Sequence, residues 1–224
     1  MVVYRRFVLL VFAVSGCAER GRSERAAGGR TVAVLTPAVA RDPSAPTTLP
    51  WSLPFGTIGR FVDVAQQLGR ERMLAEAIAV QRFRVRERFA AHLGAALEAR
   101  GDRALIVPAA RFDADLLPRP PPWRGDLLLD VVVEEFGYAA PTPDGPFVPY
   151  AVALVRGLRN DGTVAVAGRV AVNVPRPPSL SWVPGPQEPT LGADFGAHVD
   201  PEATVGGIDA ALRTLAFAVA ARIP

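Results

Sequence analysis

The spacing of apolar residues along this chain switches between two residues and about three and a half, and the switches mark out its elements. Residues 31–36, TVAVLT, form a β-branched run stopped by Pro37 and predict a strand. No proline interrupts residues 56–100, where Leu74, Ile78, Val85, Phe89, Leu93 and Leu97 recur at helical spacing. One long helix or two are expected there, with a break near Gly69 and Gly101 closing the C-terminus. Residues 104–107 predict a second strand. In residues 126–136, DLLLDVVVEEF, Leu127, Leu129, Val131 and Val133 share one face, so Asp130 and Glu134 are expected on a solvated opposite face. Residues 147–159 and 163–174 predict a hairpin turning on Asn160-Asp161-Gly162. Val164, Val166, Val170, Val172 and Val174 alternate in its second arm, as they would above one buried face.

The last element opens at Asp200-Pro201-Glu202, with an N-cap acid, proline at the first helical position and a further acid in the first turn. Val205, Ile208, Leu212, Leu215 and Val219 then make an apolar stripe. Gly206-Gly207 within it suggests close packing. The order β-α-β-β-β-β-α predicts an α+β domain, with a mixed or antiparallel sheet of about five strands. A long central helix and the C-terminal helix should pack on one face. Prolines cluster between the elements, around 37–54, 118–122, 141–149 and 175–201, because proline is excluded from helix interiors and central strands.

The N-terminus changes the picture from a domain to an anchored domain. Arg5 and Arg6 precede eight consecutive apolar residues, 7–14, too few to span a bilayer but suited to the apolar region of a signal peptide. The run ends in Val14-Ser15-Gly16-Cys17, which resembles the lipobox of bacterial lipoproteins: an apolar residue, two small ones, then cysteine. That resemblance implies cleavage before Cys17 and acylation of its thiol and of the new amine. One acyl chain holds a protein only marginally, whereas two or three anchor it stably. Residues 1–16 therefore read as signal peptide, 17–30 as lipidated cysteine and flexible tether, and 31–224 as one domain. Ala18 lacks the aspartate that commonly retains such proteins at an inner membrane. The expected place is the cell envelope, at the outer membrane facing the periplasm if the source has two membranes. Cys17 is the only cysteine, so no intramolecular disulfide can form.

Charge adds little. All 25 basic residues are arginine, and removing Arg5 and Arg6 with the signal leaves 23 against 22 acids. A net charge near +1 gives no field for steering toward phosphate backbones, so nucleic acid is not an expected partner.

Candidate chemistry is sparse. His92, placed on the polar side of the helix, and His198 are more than a hundred residues apart, and no metal or other cofactor is expected. Asp126, Asp130, Glu134 and Glu135 sit on one strand. Asp130 and Glu134 would be roughly 13 Å apart along it, too far for an acid–base pair. No catalytic residue is assigned, and the chain reads as not an enzyme. Trp51, Trp123 and Trp182 each lie in a different proline-rich segment, LPWSLP, PPPWRG and LSWVPGP. Each ring either covers the core beneath a long loop or is presented to a partner as an aromatic anchor.

Taken together, residues 31–223 resemble the auxiliary lipoproteins of ABC-type transport systems, and more weakly the lipoprotein activators of peptidoglycan synthases. The likeness rests on the lipobox, an early strand, helix and strand, the long strand LLLDVVVEEF, the hairpin RNDGTVAVAGRVAV and the final helix AALRTLAFAVAARI. It implies a membrane-anchored, non-enzymatic auxiliary or binding subunit with an envelope protein as partner. A carrier of a small apolar ligand or lipid, held between sheet and long helix, is the alternative.

Overall fold

The computed structural model describes residues 29–47, 56–111, 115–140, 145–173, 181–192, 195 and 199–224, with only the backbone at 56–63. Cys17 with its signal peptide, Trp51, Val174 and His198 lie outside the described residues. The elements run β1 (Thr31–Leu35), β2 (Ala38–Val39), α1 (Gly56–Val80), α2 (Val85–Ala99), β3 (Arg103–Val107), β4 (Leu127–Ala139), β5 (Val148–Arg159), β6 (Val164–Val172), β7 (Ser181–Val183) and α3 (Pro201–Ala221). The fold is α+β, with one mixed sheet ordered β3-β1-β4-β5-β6-β7 and β2 alongside β4. Among the described residues seven strands replace the expected five, because the two- and three-residue strands β2 and β7 are too short to show any alternation.

β4, β5 and β6 form the antiparallel meander at the centre, while β3, β1, β2 and β7 attach by parallel pairing. The hairpin turn forms as its sequence requires. Gly162 has φ +80, and Asp161 Oδ1 accepts from the Thr163 amide at 2.8 Å. The three helices among the described residues lie against one face of the sheet. Leu74 of α1, Phe89, Leu93 and Leu97 of α2, and Ile208, Leu212 and Leu215 of α3 are fully buried there. Asp200 caps α3 by accepting from the Glu202 amide at 3.0 Å, and Pro201 follows at the first helical position.

Three expectations are corrected. The helix breaks at residues 81–84, not near Gly69, which lies inside α1. At the break the Phe83 amide donates to Ile78 O and the Arg82 amide to Ala79 O, the two bonds of a Schellman cap. Arg82 takes the left-handed position at φ +48 that glycine usually fills, and so gave no sequence signal. The same motif closes α2 at Gly101, φ +83, where glycine did announce it.

The second correction concerns β4, whose two faces are both buried. Its register shifts between Val133 and Glu135, so the inward set passes from Leu127, Leu129, Val131 and Val133 to Phe136 and Tyr138. On the opposite face Leu128 packs with Ala33, Leu35 and Leu158 beneath Ala109, Leu117 and Trp123. Asp130, expected in solvent, is fully buried there.

The third correction concerns β6. A bulge at Gly157/Leu158 places Val164 opposite Leu158 instead of in line with Val170 and Val172. Val164 is consequently exposed, and the valine alternation holds a buried face only over the far half of the strand.

Candidate functional site

The junction of α1 and α2 is the most distinctive surface among the described residues. Four arginines alternate through it: Arg82, Arg84, Arg86 and Arg88. Arg88 is committed, since Nε lies 3.3 Å from Asp209 Oδ1 and its guanidinium sits 5.8 Å from the Phe83 ring centroid. Arg84 reaches Glu87 only at 4.0 Å and remains largely exposed. Arg82 and Arg86 are exposed and enter no ion pair among the described residues. Four cations pressed into seven residues repel one another in the folded state, a cost that folding alone does not require.

Behind these arginines the junction opens into a cleft of about 530 Å³ between the helices and the end of the sheet. Val39, Ile78, Phe83, Val85 and Phe136 form its apolar side, and Arg41, Asp42, Arg84, Arg86 and Glu87 its polar rim. Val39, Ile78, Phe83 and Val85 are only half-buried, so apolar surface stays open to whatever enters. The left-handed turn at Arg82 is what splits the helical stretch and sets Phe83 beside Ile78 at the mouth. Sequence reasoning missed this site. The alternating run RFRVRER was the signal that could have found it.

The acids of β4 have separate duties. Arg111 donates to Asp130 Oδ1, and Arg156 Nη2 lies 2.9 Å from Asp130 Oδ2. The Leu117 amide donates to the same carboxylate at 3.0 Å, and Arg156 also donates to Leu117 O. This buried cluster fastens the segment after β3 onto the sheet. Glu134 makes a two-pronged pair with Arg169, at 2.7 and 3.0 Å, on the surface. Glu135 accepts from the Tyr150 hydroxyl at 3.2 Å, and Asp126 from the Thr31 amide at 2.7 Å. No two of them converge on a shared point, and no cluster of metal-ligating residues occurs among the described residues. His92 is not on a solvated side of its helix. It turns toward α3, with Nε2 2.8 Å from Asp209 Oδ1.

Trp182 stands on the edge strand β7, 41% exposed, opposite Ala171 of β6. Asn173, at φ +58, locks the chain beyond β7 in place. Its amide donates to Pro149 O and Pro186 O, and its Oδ1 accepts from the Gly185 amide at 2.8 Å. Trp123 is half-buried against the other end of the helix-free face, over Leu128 and Leu158. The two described rings therefore share a face, but the β5 positions level with them, Val152 and Leu158, are six residues apart, roughly 20 Å along the strand.

These features define an α+β domain with one helix-covered sheet face, a basic cleft at a helix junction and an exposed aromatic edge. No family model matches the chain, and no curated protein matches it. Among solved structures it is similar to the crystal structure of protein XCC0632 from Xanthomonas campestris, of the family DUF330, with a TM-score of 0.40 and 12% identity. That similarity covers 86% of this chain and 82% of the other.

Proposed function

We propose that this protein is a lipid-anchored envelope lipoprotein, held to its membrane through Cys17, whose domain serves as a non-enzymatic auxiliary subunit binding another envelope protein. The observation that supports it is the pairing of a filled core with an exposed aromatic. Leu74, Phe89, Leu93, Ile208, Leu212 and Leu215 are fully buried between sheet and helices, so beyond the α1–α2 cleft recognition falls to the outer surface. Trp182 is presented there on a short edge strand, and the Asn173 hydrogen bonds fix the segment that follows, so little ordering entropy opposes docking. Trp51 and Trp123 are the other proposed anchors. Residues 1–16 act as the export signal and the stretch to residue 30 as the tether.

Two measurements test this reading. The N-terminal peptide of the mature protein should begin at Cys17 and carry acyl mass, and Cys17→Ser should abolish both. A peptide without acyl mass ends the anchoring. Trp182→Ala should weaken binding to the partner protein by about 2 kcal/mol with little change in melting. Unchanged affinity removes the edge from the interface. The cleft at the α1–α2 junction favours a second reading, a carrier of a small apolar ligand or lipid, because its half-buried apolar wall is open.

A further inference from the structure

We infer that the α1–α2 cleft binds an anionic amphiphile, with a phosphate ester at Arg41, Arg84 and Arg86 and an alkyl group against Val39, Phe83 and Phe136. The inference deepens the carrier reading by naming the ligand class, and it holds whether or not Cys17 is acylated. Its basis is the juxtaposition of two surfaces that are each unfavourable alone. The arginines face Asp42 and Glu87 across the rim, and Glu87 is shared with Arg84 at 4.0 Å, so the rim with Arg82 keeps a surplus of two positive charges. The apolar wall is contiguous with the main core through Phe136, yet four of its members stop half-buried. A ligand carrying a negative head and an apolar body satisfies both at once. A free anion leaves the wall wet, and a neutral apolar molecule leaves the arginines uncompensated.

The volume agrees with this class. A cleft of about 530 Å³ lies within the usual range of ligand sites, roughly 300–1,000 Å³. It is too small and too open to swallow a two-chain lipid. The headgroup and the first part of one chain are what it can cover. Arginine suits the task because its planar fork takes two phosphate oxygens together. The Schellman turn gives the site its shape, since Arg82 at φ +48 directs the chain from α1 to Phe83 and then to Arg84.

The test is calorimetric titration of the full chain, mixed with nanodiscs of zwitterionic lipid, with hexyl phosphate, inorganic phosphate and hexanol. Hexyl phosphate should bind at least tenfold more tightly than either half alone. Arg84→Glu with Arg86→Glu should reduce that affinity by tenfold or more, while melting does not fall, because both side chains are exposed and the reversal relieves repulsion among the four arginines. The same reversal at Arg103 and Arg159, exposed arginines outside the cleft, should have no effect. Equal affinity for inorganic phosphate would overturn the amphiphile and leave a simple anion site. Equal affinity in the Arg84→Glu/Arg86→Glu protein, or none for hexyl phosphate, would overturn the site. Anionic lipid doped into the nanodisc separates the sources. If membrane lipid is the ligand, it should compete with hexyl phosphate. Binding of hexyl phosphate without competition assigns the site to a free phosphate ester. The Trp182 and Cys17 measurements are independent of every arm.

Discussion

His92 Nε2 lies 2.8 Å from Asp209 Oδ1, and this contact ties α2 to α3 across the helix layer. Asp209 is the hub, because Arg88 at 3.3 Å and Arg213 at 3.5 Å reach the same mostly buried carboxylate. Replacing it leaves the mostly buried His92 ring without its partner while Arg88 and Arg213, both more than half exposed, turn to water, whereas replacing His92 leaves a carboxylate that keeps two arginines. Asp209→Ala should therefore cost about 1–3 kcal/mol in urea denaturation, and His92→Ala distinctly less. Equal losses would show that the contact between the helices, not the carboxylate's network, carries the effect.

Asp130 makes the sharper case, since it is wholly inaccessible and holds two arginines, Arg111 being almost as buried. Removing a buried ion partner leaves charge without compensation, which costs about 3–5 kcal/mol. Asp130→Ala should show that loss and should also loosen the segment around Leu117, detectable as faster amide exchange there. A triple replacement, Asp130→Leu with Arg111→Met and Arg156→Leu, should recover most of the stability. A triple variant as unstable as the single one would mean that the cluster positions the segment through geometry that apolar packing cannot supply.

Gly206 and Gly207 are neighbours with opposite tolerances. A Cβ at Gly207 would fall 2.2 Å from the Tyr138 hydroxyl and 2.9 Å from Pro149 Cγ, while one at Gly206 meets nothing within 4 Å. Gly206→Ala should stabilise α3 by about 0.5–1 kcal/mol through helix propensity. Gly207→Ala should destabilise by about 1–3 kcal/mol, because Tyr138 is fixed by its own hydrogen bond to Thr204 O at 3.0 Å and cannot retreat freely. Thermal melts of the two single variants check both signs at once.

Elements whose chemistry is local were legible in the sequence. Asp200 with Pro201, the turn at residues 160–162, Gly101 and the stripe from Val205 to Val219 all stand as read, since a cap, a turn or a helix face is specified within a few residues. The misreadings arose where distant contacts override local pattern. Asp130 looked like a solvated position because its partners Arg111 and Arg156 come from 19 and 26 residues away. The register shift after Val133 and the bulge beside Leu158 each move a period-two pattern to the other face; the first carries no residue that marks it, and at the second Gly157 alone does not say which way the pattern moves. The basic cleft was hidden for a related reason. One continuous helix would spread its arginines around the helix axis, whereas the left-handed turn at Arg82 gathers them at one end of the helix pair.

An alkaline titration offers the cleanest test of the core, because this chain lacks the groups that usually obscure it. It contains no lysine and a single cysteine, and arginine keeps its proton throughout the accessible range. Between about pH 9.5 and 11.5 tyrosine is therefore the dominant titrating side chain. Tyr138 and Tyr150 are both fully buried, and burial pushes each hydroxyl far above the ordinary tyrosine value of 10.0. For Tyr150 the nearby Glu135 carboxylate pushes the same way. In the unfolded chain both ionise near pH 10, while in the folded protein both stay protonated, so above that pH the folded state holds more protons. Stability should be flat below about pH 9.5 and fall as pH rises through 10 and beyond. The slope approaches about 1.4 kcal/mol per pH unit for each tyrosine. Urea midpoints at half-unit steps should show a slope roughly halved in Tyr138→Phe or in Tyr150→Phe and nearly abolished in the double variant. If the double variant kept the original slope, the two hydroxyls would not be the groups that burial holds protonated.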